Sequence, residues 1–193
     1  MSNIQPRNIA IFAALAALML ATRFNHFGSA YALPDASYAV FFLGGLYLAR
    51  FARVSVIAFI ALLAEAGMID FYATSVQGVS DWCMTTAYWF LIPTYASLWL
   101  AGRWFASRRT LQGVNLVGLA VTAWAASSFA FVFSNATFYA FSGRFADMGA
   151  VEYASRVAQY YASYVSVAML YIACAIALHI AADILVRQRA HTH

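Results

Sequence analysis

The chain has 193 residues, of which 64% are apolar and only 9% charged, whereas a soluble domain of this size carries about 25% charged residues. That excludes a water-soluble enzyme. It also excludes a nucleic-acid binder, because the basic residues, all arginine and giving a formal net charge of +4, stand scattered rather than in a patch that could track phosphates. A β-barrel would need alternating segments of about ten residues, but runs such as 54–63 and 168–177 are almost continuously apolar. The composition specifies an all-α membrane protein.

In chain order, the apolar runs between charged or turn-rich breaks predict six transmembrane helices, at about 8–24, 36–50, 54–70, 82–101, 111–133 and 153–185, in a single domain covering 1–193. The first run, with Arg7 before it and Ala30-Tyr31-Ala32 after it, imitates a signal peptide. The polar gap at 23–29 is long for one, so the segment reads as a membrane helix. It carries the small-residue pairs Ala10/Ala14, Ala13/Ala17 and Ala17/Ala21, which let another helix approach closely. Packing inside the bundle is the plainer expectation, and Gly44-Gly45 on the second helix reads the same way. Pro93 is expected to bend the fourth helix and free the carbonyl of Trp89.

Arginine placement sets the orientation. Arg7, Arg50, Arg53, Arg103, Arg108, Arg109, Arg187 and Arg189 fall on one side, and Arg23, Arg144 and Arg156 on the other, which puts both termini in the cytoplasm. The cytoplasmic connections, near Arg50–Arg53 and Gly102–Arg109, are short and basic, so helices 2/3 and 4/5 should be tight hairpins. The outer connections, about 23–35, 71–81 and 134–152, are longer and rich in polar and aromatic residues. Tyr31, Tyr38, Tyr72, Tyr88, Tyr139, Tyr153, Tyr160, Tyr161 and Tyr164 all fall in the outer half. An interfacial belt alone would decorate both faces, so the excess points to an aromatic pocket opening outward.

Cys83 is the most informative position, in Gly78-Val79-Ser80-Asp81-Trp82-Cys83-Met84. If Ser80 or Asp81 caps helix 4, the sulfur lies in its first turn, where free N–H groups and the helix dipole favour a thiolate. Such a thiolate is a soft metal ligand or a nucleophile; a small buried hydrophobe is the alternative. Cys174, mid-helix among apolar residues, reads as packing. Asp70, Tyr88 and Arg156 should lie at similar depth and could form one network flooring the pocket. Equally, Arg156 could pair with Glu152 one turn earlier while Asp70 caps a loop, and Glu65 could join the network or contact a neighbouring backbone. His179, Asp183 and Arg187, four residues apart on helix 6, form either a local pair system or a proton relay. The chain lacks the facing histidine pairs of a membrane b-type haem.

The six helices, the internal termini, the alanine pairs of helix 1, the outward aromatic pocket and the lone cysteine at the start of helix 4 together resemble the BtuM family. These are solitary vitamin B12 proteins related to the S-components of energy-coupling-factor transporters. The specific part of the resemblance is Asp81-Trp82-Cys83 with Tyr88, Asp70 and Arg156. It implies an S-component-like bundle in the bacterial cytoplasmic (inner) membrane that takes up cobalamin. It further implies Cys83 as axial ligand to the corrin cobalt, able to displace cyanide from cyanocobalamin, with Trp82, Met84 and Tyr160 as further substrate-binding residues. An energy-coupling module would then dock on Ala10, Ala14 and Ala17. A chain without lysine holds no P-loop, so this chain has no nucleotide site of its own. Two other readings stay open: a membrane enzyme that uses Cys83 to process a corrinoid, and a copper or thiol-redox assembly protein using Cys83, Met84 and Met68.

Overall fold

A computed structural model describes residues 5–24, 33–48, 52–108 and 115–191. Among these residues are six α-helices: α1 (Pro6–Thr22), α2 (Ser37–Leu48), α3 (Ala52–Ser75), α4 (Leu91–Arg108), α5 (Leu116–Phe141) and α6 (Ala150–His191). A short 3-10 helix, Thr86–Phe90, precedes α4, and no strand occurs among the described residues. Parts of α3 (Arg53–Ser75), α5 (Leu116–Phe141) and α6 (Ala150–Arg189) are long and apolar enough to cross a membrane. The surface agrees with a lipid surround. Ile57, Ile60, Val121, Val132, Leu170 and Leu178 all point outward, an apolar display that water would not tolerate on a monomer.

The short helix α2 is the axis. Ten of its twelve residues are buried, so its apolar character runs all the way round, as expected of a helix wrapped by others. In its seam with α4 the two backbones approach closely. A Cβ at Gly44 would run into the Trp99 ring, one at Gly45 into the Trp99 carbonyl, and one at Gly102 into the Phe42 carbonyl. The glycines therefore serve a close backbone approach, as the reading of Gly44-Gly45 anticipates, while Gly102, expected in a connection, lies inside α4. Trp99 is held in that seam by its indole N–H, which donates to Ser55 Oγ at 3.0 Å.

Several sequence expectations are corrected. Helix 4 does not begin at 82, and neither Ser80 nor Asp81 caps it. Thr85 caps the 3-10 helix, its hydroxyl accepting from the Ala87 N–H, and α4 starts only at Leu91. The reason is Pro93, which lacks an N–H and so is tolerated only in the first turn. It starts α4 rather than bending it, and the Trp89 carbonyl accepts from the Leu91 N–H instead of being freed. At the other helix ends the polar residues mislead. Asn135 and Thr137, read as loop, continue α5 by donating back to the carbonyls of Phe131 and Phe133 at 2.8 and 2.9 Å. The connections on this side therefore shrink to 76–85 and 142–149.

The alanines of α1 do not pack into the bundle. Asn8, Leu15, Met19 and Thr22 form the buried face, and Ala10, Ala13, Ala14, Ala17 and Ala21 are exposed on the opposite one. Cys174 is also exposed, on the outer face of α6, rather than packed. The short basic connections at Arg50 and Arg109, and most of the loop at 23–35 including His26, lie outside the described residues.

Candidate functional site

Where α1 finishes and α6 begins, the helices splay around a cavity of about 760 Å³. All seven residues singled out from the sequence, Asp70, Trp82, Cys83, Met84, Tyr88, Arg156 and Tyr160, line it. Met68 does not; it is exposed on α3, so the Cys83, Met84 and Met68 trio of the copper reading is not assembled. No group of three His, Cys, Asp or Glu poised to hold a metal ion occurs among the described residues.

The deep end is organised by a residue the sequence reading used only for orientation. Arg23 follows the last turn of α1, its N–H donating to the Met19 carbonyl at 2.9 Å. The side chain is almost fully buried, with 2% of its surface exposed. Its Nε and Nη2 donate to the two oxygens of Asp70 at 2.8 and 2.7 Å, a bidentate fork. Its Nη1 donates to Ser37 Oγ at 2.7 Å and to the Tyr95 hydroxyl at 2.8 Å, and Nε also reaches the Ala66 carbonyl at 3.2 Å. Asp35 accepts from the Ser37 N–H and hydroxyl at 2.8 and 2.6 Å and lies 3.9 Å from Arg23. Tyr88 donates to Asp70 at 2.7 Å from the 3-10 helix. One arginine thus ties α1, α2, α3, α4 and the 3-10 helix together, and the proline-started α4 brings Tyr95 to it.

Of the expected Asp70, Tyr88 and Arg156 network, the structure keeps Asp70 with Tyr88 and excludes Arg156. That arginine donates to Glu152 at 2.7 Å, one turn back on α6, with both side chains more than half exposed. Glu65 makes no hydrogen bond or ion pair to either group. At the opposite end of α6, His179 lies 3.7 Å from Asp183, and Arg187 adds no ion pair among the described residues.

Cys83 lies in a turn rather than a helix. α3 is closed by Gly78, whose φ of 70° suits glycine, and by a bond from the Val79 N–H to the Ala73 carbonyl at 3.1 Å, the wrap that ends many helices. The chain then reverses through Trp82, Cys83 and Met84 along the cavity wall, with the Met84 N–H on the Asp81 carbonyl at 2.8 Å. No helix dipole acts on the sulfur. Cys83 is exposed rather than packed as a small buried hydrophobe; partial desolvation in the cavity wall and the nearby Asp70 charge push its thiol pKa up, and Arg144 opposes them. The expected resting thiolate is therefore replaced by a neutral thiol.

The remaining wall is aromatic and amide-bearing. Tyr38, Tyr153, Tyr164, Phe131 and Phe145 face the cavity beside Asn135 and Gln159. The loop 142–149 is pinned by the Tyr139 hydroxyl on the Met148 carbonyl at 2.8 Å and by Phe145 against the Tyr153 ring, 4.7 Å between centroids. Sequence reasoning missed Arg23, Asp35, Ser37, Tyr95 and Arg144. A signal for the first existed: a lone arginine directly after an apolar helix needs a buried acid, and Asp70 is similarly isolated. No protein-family model matches the chain, and comparison with the curated proteins finds no match either.

Proposed function

We propose that this chain is a six-crossing protein of the bacterial cytoplasmic membrane, with both termini in the cytoplasm, that takes up a corrinoid such as cobalamin through the aromatic cavity. This is the BtuM-like reading. The observation that carries it is the meeting of the Cys83 sulfur with an aromatic and amide-bearing wall at one open cavity. A flat, partly apolar macrocycle with amide arms suits that wall, and a sulfur on it suits the cobalt.

The raised thiol pKa fits this role. A neutral thiol resists stray electrophiles, and coordination to a metal ion removes its proton when the right partner arrives. Written in full, the Cys83 S–H bond breaks, sulfur donates its electron pair to cobalt(III), and the displaced cyanide leaves with the Co–C pair and takes up the proton. Cobalt keeps its oxidation state, so no reductant is required. The outward face of α1 supports docking of an energy-coupling module at Ala10, Ala14 and Ala17, because small residues that face lipid remain available to another helix.

The test is the visible spectrum of the purified protein titrated with aquocobalamin. Wild type and Cys174→Ala should shift the corrinoid bands alike, and Cys83→Ala should lose the shift. Identical behaviour of the two cysteine variants would remove the cobalt-ligand reading.

A further inference from the structure

Three arginines stand at the cavity end among the described residues, and their commitments differ. Arg23 is spent on Asp70 and its neighbours, and Arg156 on Glu152. Among the described residues Arg144 makes no ion pair with an acid: its guanidinium lies over the Trp82 ring, 4.6 Å from the centroid. The ring seats the cation without taking its N–H donors in a hydrogen bond to an acceptor, and no side-chain hydrogen bond of Arg144 occurs among the described residues.

The backbone holds Arg144 there. Gly143 adopts φ 69°, a conformation other residues rarely adopt, and the Arg144 N–H donates to Ser142 Oγ at 3.2 Å. Phe145, the next residue, is locked among the rings of Phe138, Tyr139 and Tyr153. Trp82, the platform, precedes Cys83 in the opposite loop. Arg144 is exposed and does not itself line the cavity, but Trp82 beneath it does, so the cation stands over the cavity's edge, on the residue that precedes Cys83.

Size and charge dictate what it meets. A cavity of about 760 Å³ falls within the about 300–1,000 Å³ that holds a drug-sized ligand, and a corrinoid with its nucleotide arm is larger than that. With the macrocycle inside and its cobalt at Cys83, the arm must lie over the mouth. The deep cluster sets two carboxylates, Asp35 and Asp70, against the single cation Arg23, an excess of negative charge that repels an anion. Arg156 also lines the cavity, but Glu152 at 2.7 Å offsets its charge, so the arm's phosphodiester meets uncompensated positive charge at Arg144.

We propose that Arg144, braced on Trp82 at the mouth of the cavity, is the recognition residue for the phosphodiester of the corrinoid's nucleotide arm. The proposal rests on the corrinoid reading above. A guanidinium edge pairs with two phosphate oxygens in a planar fork, which selects corrinoids that carry the arm over those that lack it.

The experiment compares aquocobalamin with diaquocobinamide, which has the same macrocycle but no phosphodiester, by absorbance titration of the full chain in lipid nanodiscs at low salt. Arg144→Gln should weaken aquocobalamin at least about tenfold, the cost of losing a charge-assisted hydrogen bond, and leave diaquocobinamide within about twofold of wild type. Arg144→Lys, which keeps the charge but not the fork, should fall between. Retained cobinamide binding shows that the variant is folded. Equal weakening of both corrinoids would reduce Arg144 to a structural prop for Trp82, and no weakening of either would remove it from recognition; both overturn the proposal. A wild type that binds neither corrinoid would remove the reading beneath it as well.

Discussion

Two arginine–acid pairs face the same cavity and do opposite work. Arg23 and Asp70 are buried, joined by a bidentate fork, and bonded onward to Ser37, Tyr88, Tyr95 and the Ala66 carbonyl. Arg156 and Glu152 sit one turn apart on a single helix, both more than half exposed. Removing a buried partner leaves a charge that neither water nor lipid can stabilise, whereas removing an exposed one returns its mate to solvent. The buried pair gathers five elements and so shapes the cavity; the exposed pair decorates its rim.

The sharpest way to break the comparison is Arg23→Met, which strands Asp70 and should cost about 3–5 kcal/mol or prevent folding. The double variant Arg23→Met with Asp70→Leu removes both charges and should be less destabilised than either single change, measured by thermal melting in detergent. Independent addition of the two effects would show that they are not a unit. Tyr88→Phe deletes one donor to an already paired carboxylate and should cost about 1–2 kcal/mol in the same assay. Smallest of all, Arg156→Ala should melt within about 0.5 kcal/mol of wild type. If it matched Arg23→Met, the contrast between the pairs would be wrong.

The cysteine supplies a pH test. Because the Cys83 thiol pKa is raised, the free sulfur is protonated at neutral pH, and binding cobalt must release that proton. Cobalt–sulfur coordination to aquocobalamin should then strengthen about tenfold per pH unit between about pH 6 and 7.5. A resting thiolate of the kind expected at a helix N-terminus would give a flat profile over that range. Isothermal titration in buffers of different ionisation enthalpy counts the proton directly.

Much of this molecule was legible in its sequence, and the failures have two physical causes. Helix number, the aromatic crowding at one end and the choice of Asp70, Cys83, Tyr88 and Arg156 follow from hydrophobic periodicity and residue type, which are local, whereas Trp82, Met84 and Tyr160 came as substrate-binding residues only with the family resemblance. Arg23 was missed because its meaning lies in Asp70, 47 residues away, and helical arithmetic relates residues only within one helix. The same limit made Arg156 an attractive partner for Asp70, since depth can be read from a sequence but the direction a side chain faces cannot. Position 83 failed for a different reason. Pro93 marks the start of a helix as readily as a bend within one, and choosing the bend carried Cys83 into a first turn that does not exist. The alanines of α1 show the ambiguity of small residues, which permit close approach on whichever side they point.

The most direct test of the account is cobalt X-ray absorption on the purified chain loaded with aquocobalamin, comparing wild type with Cys83→Ser. The account predicts a sulfur scatterer in the first cobalt shell of wild type and only nitrogen and oxygen in the variant, with Cys174→Ser indistinguishable from wild type. A wild-type shell without sulfur, or one whose sulfur persists in Cys83→Ser, would contradict it.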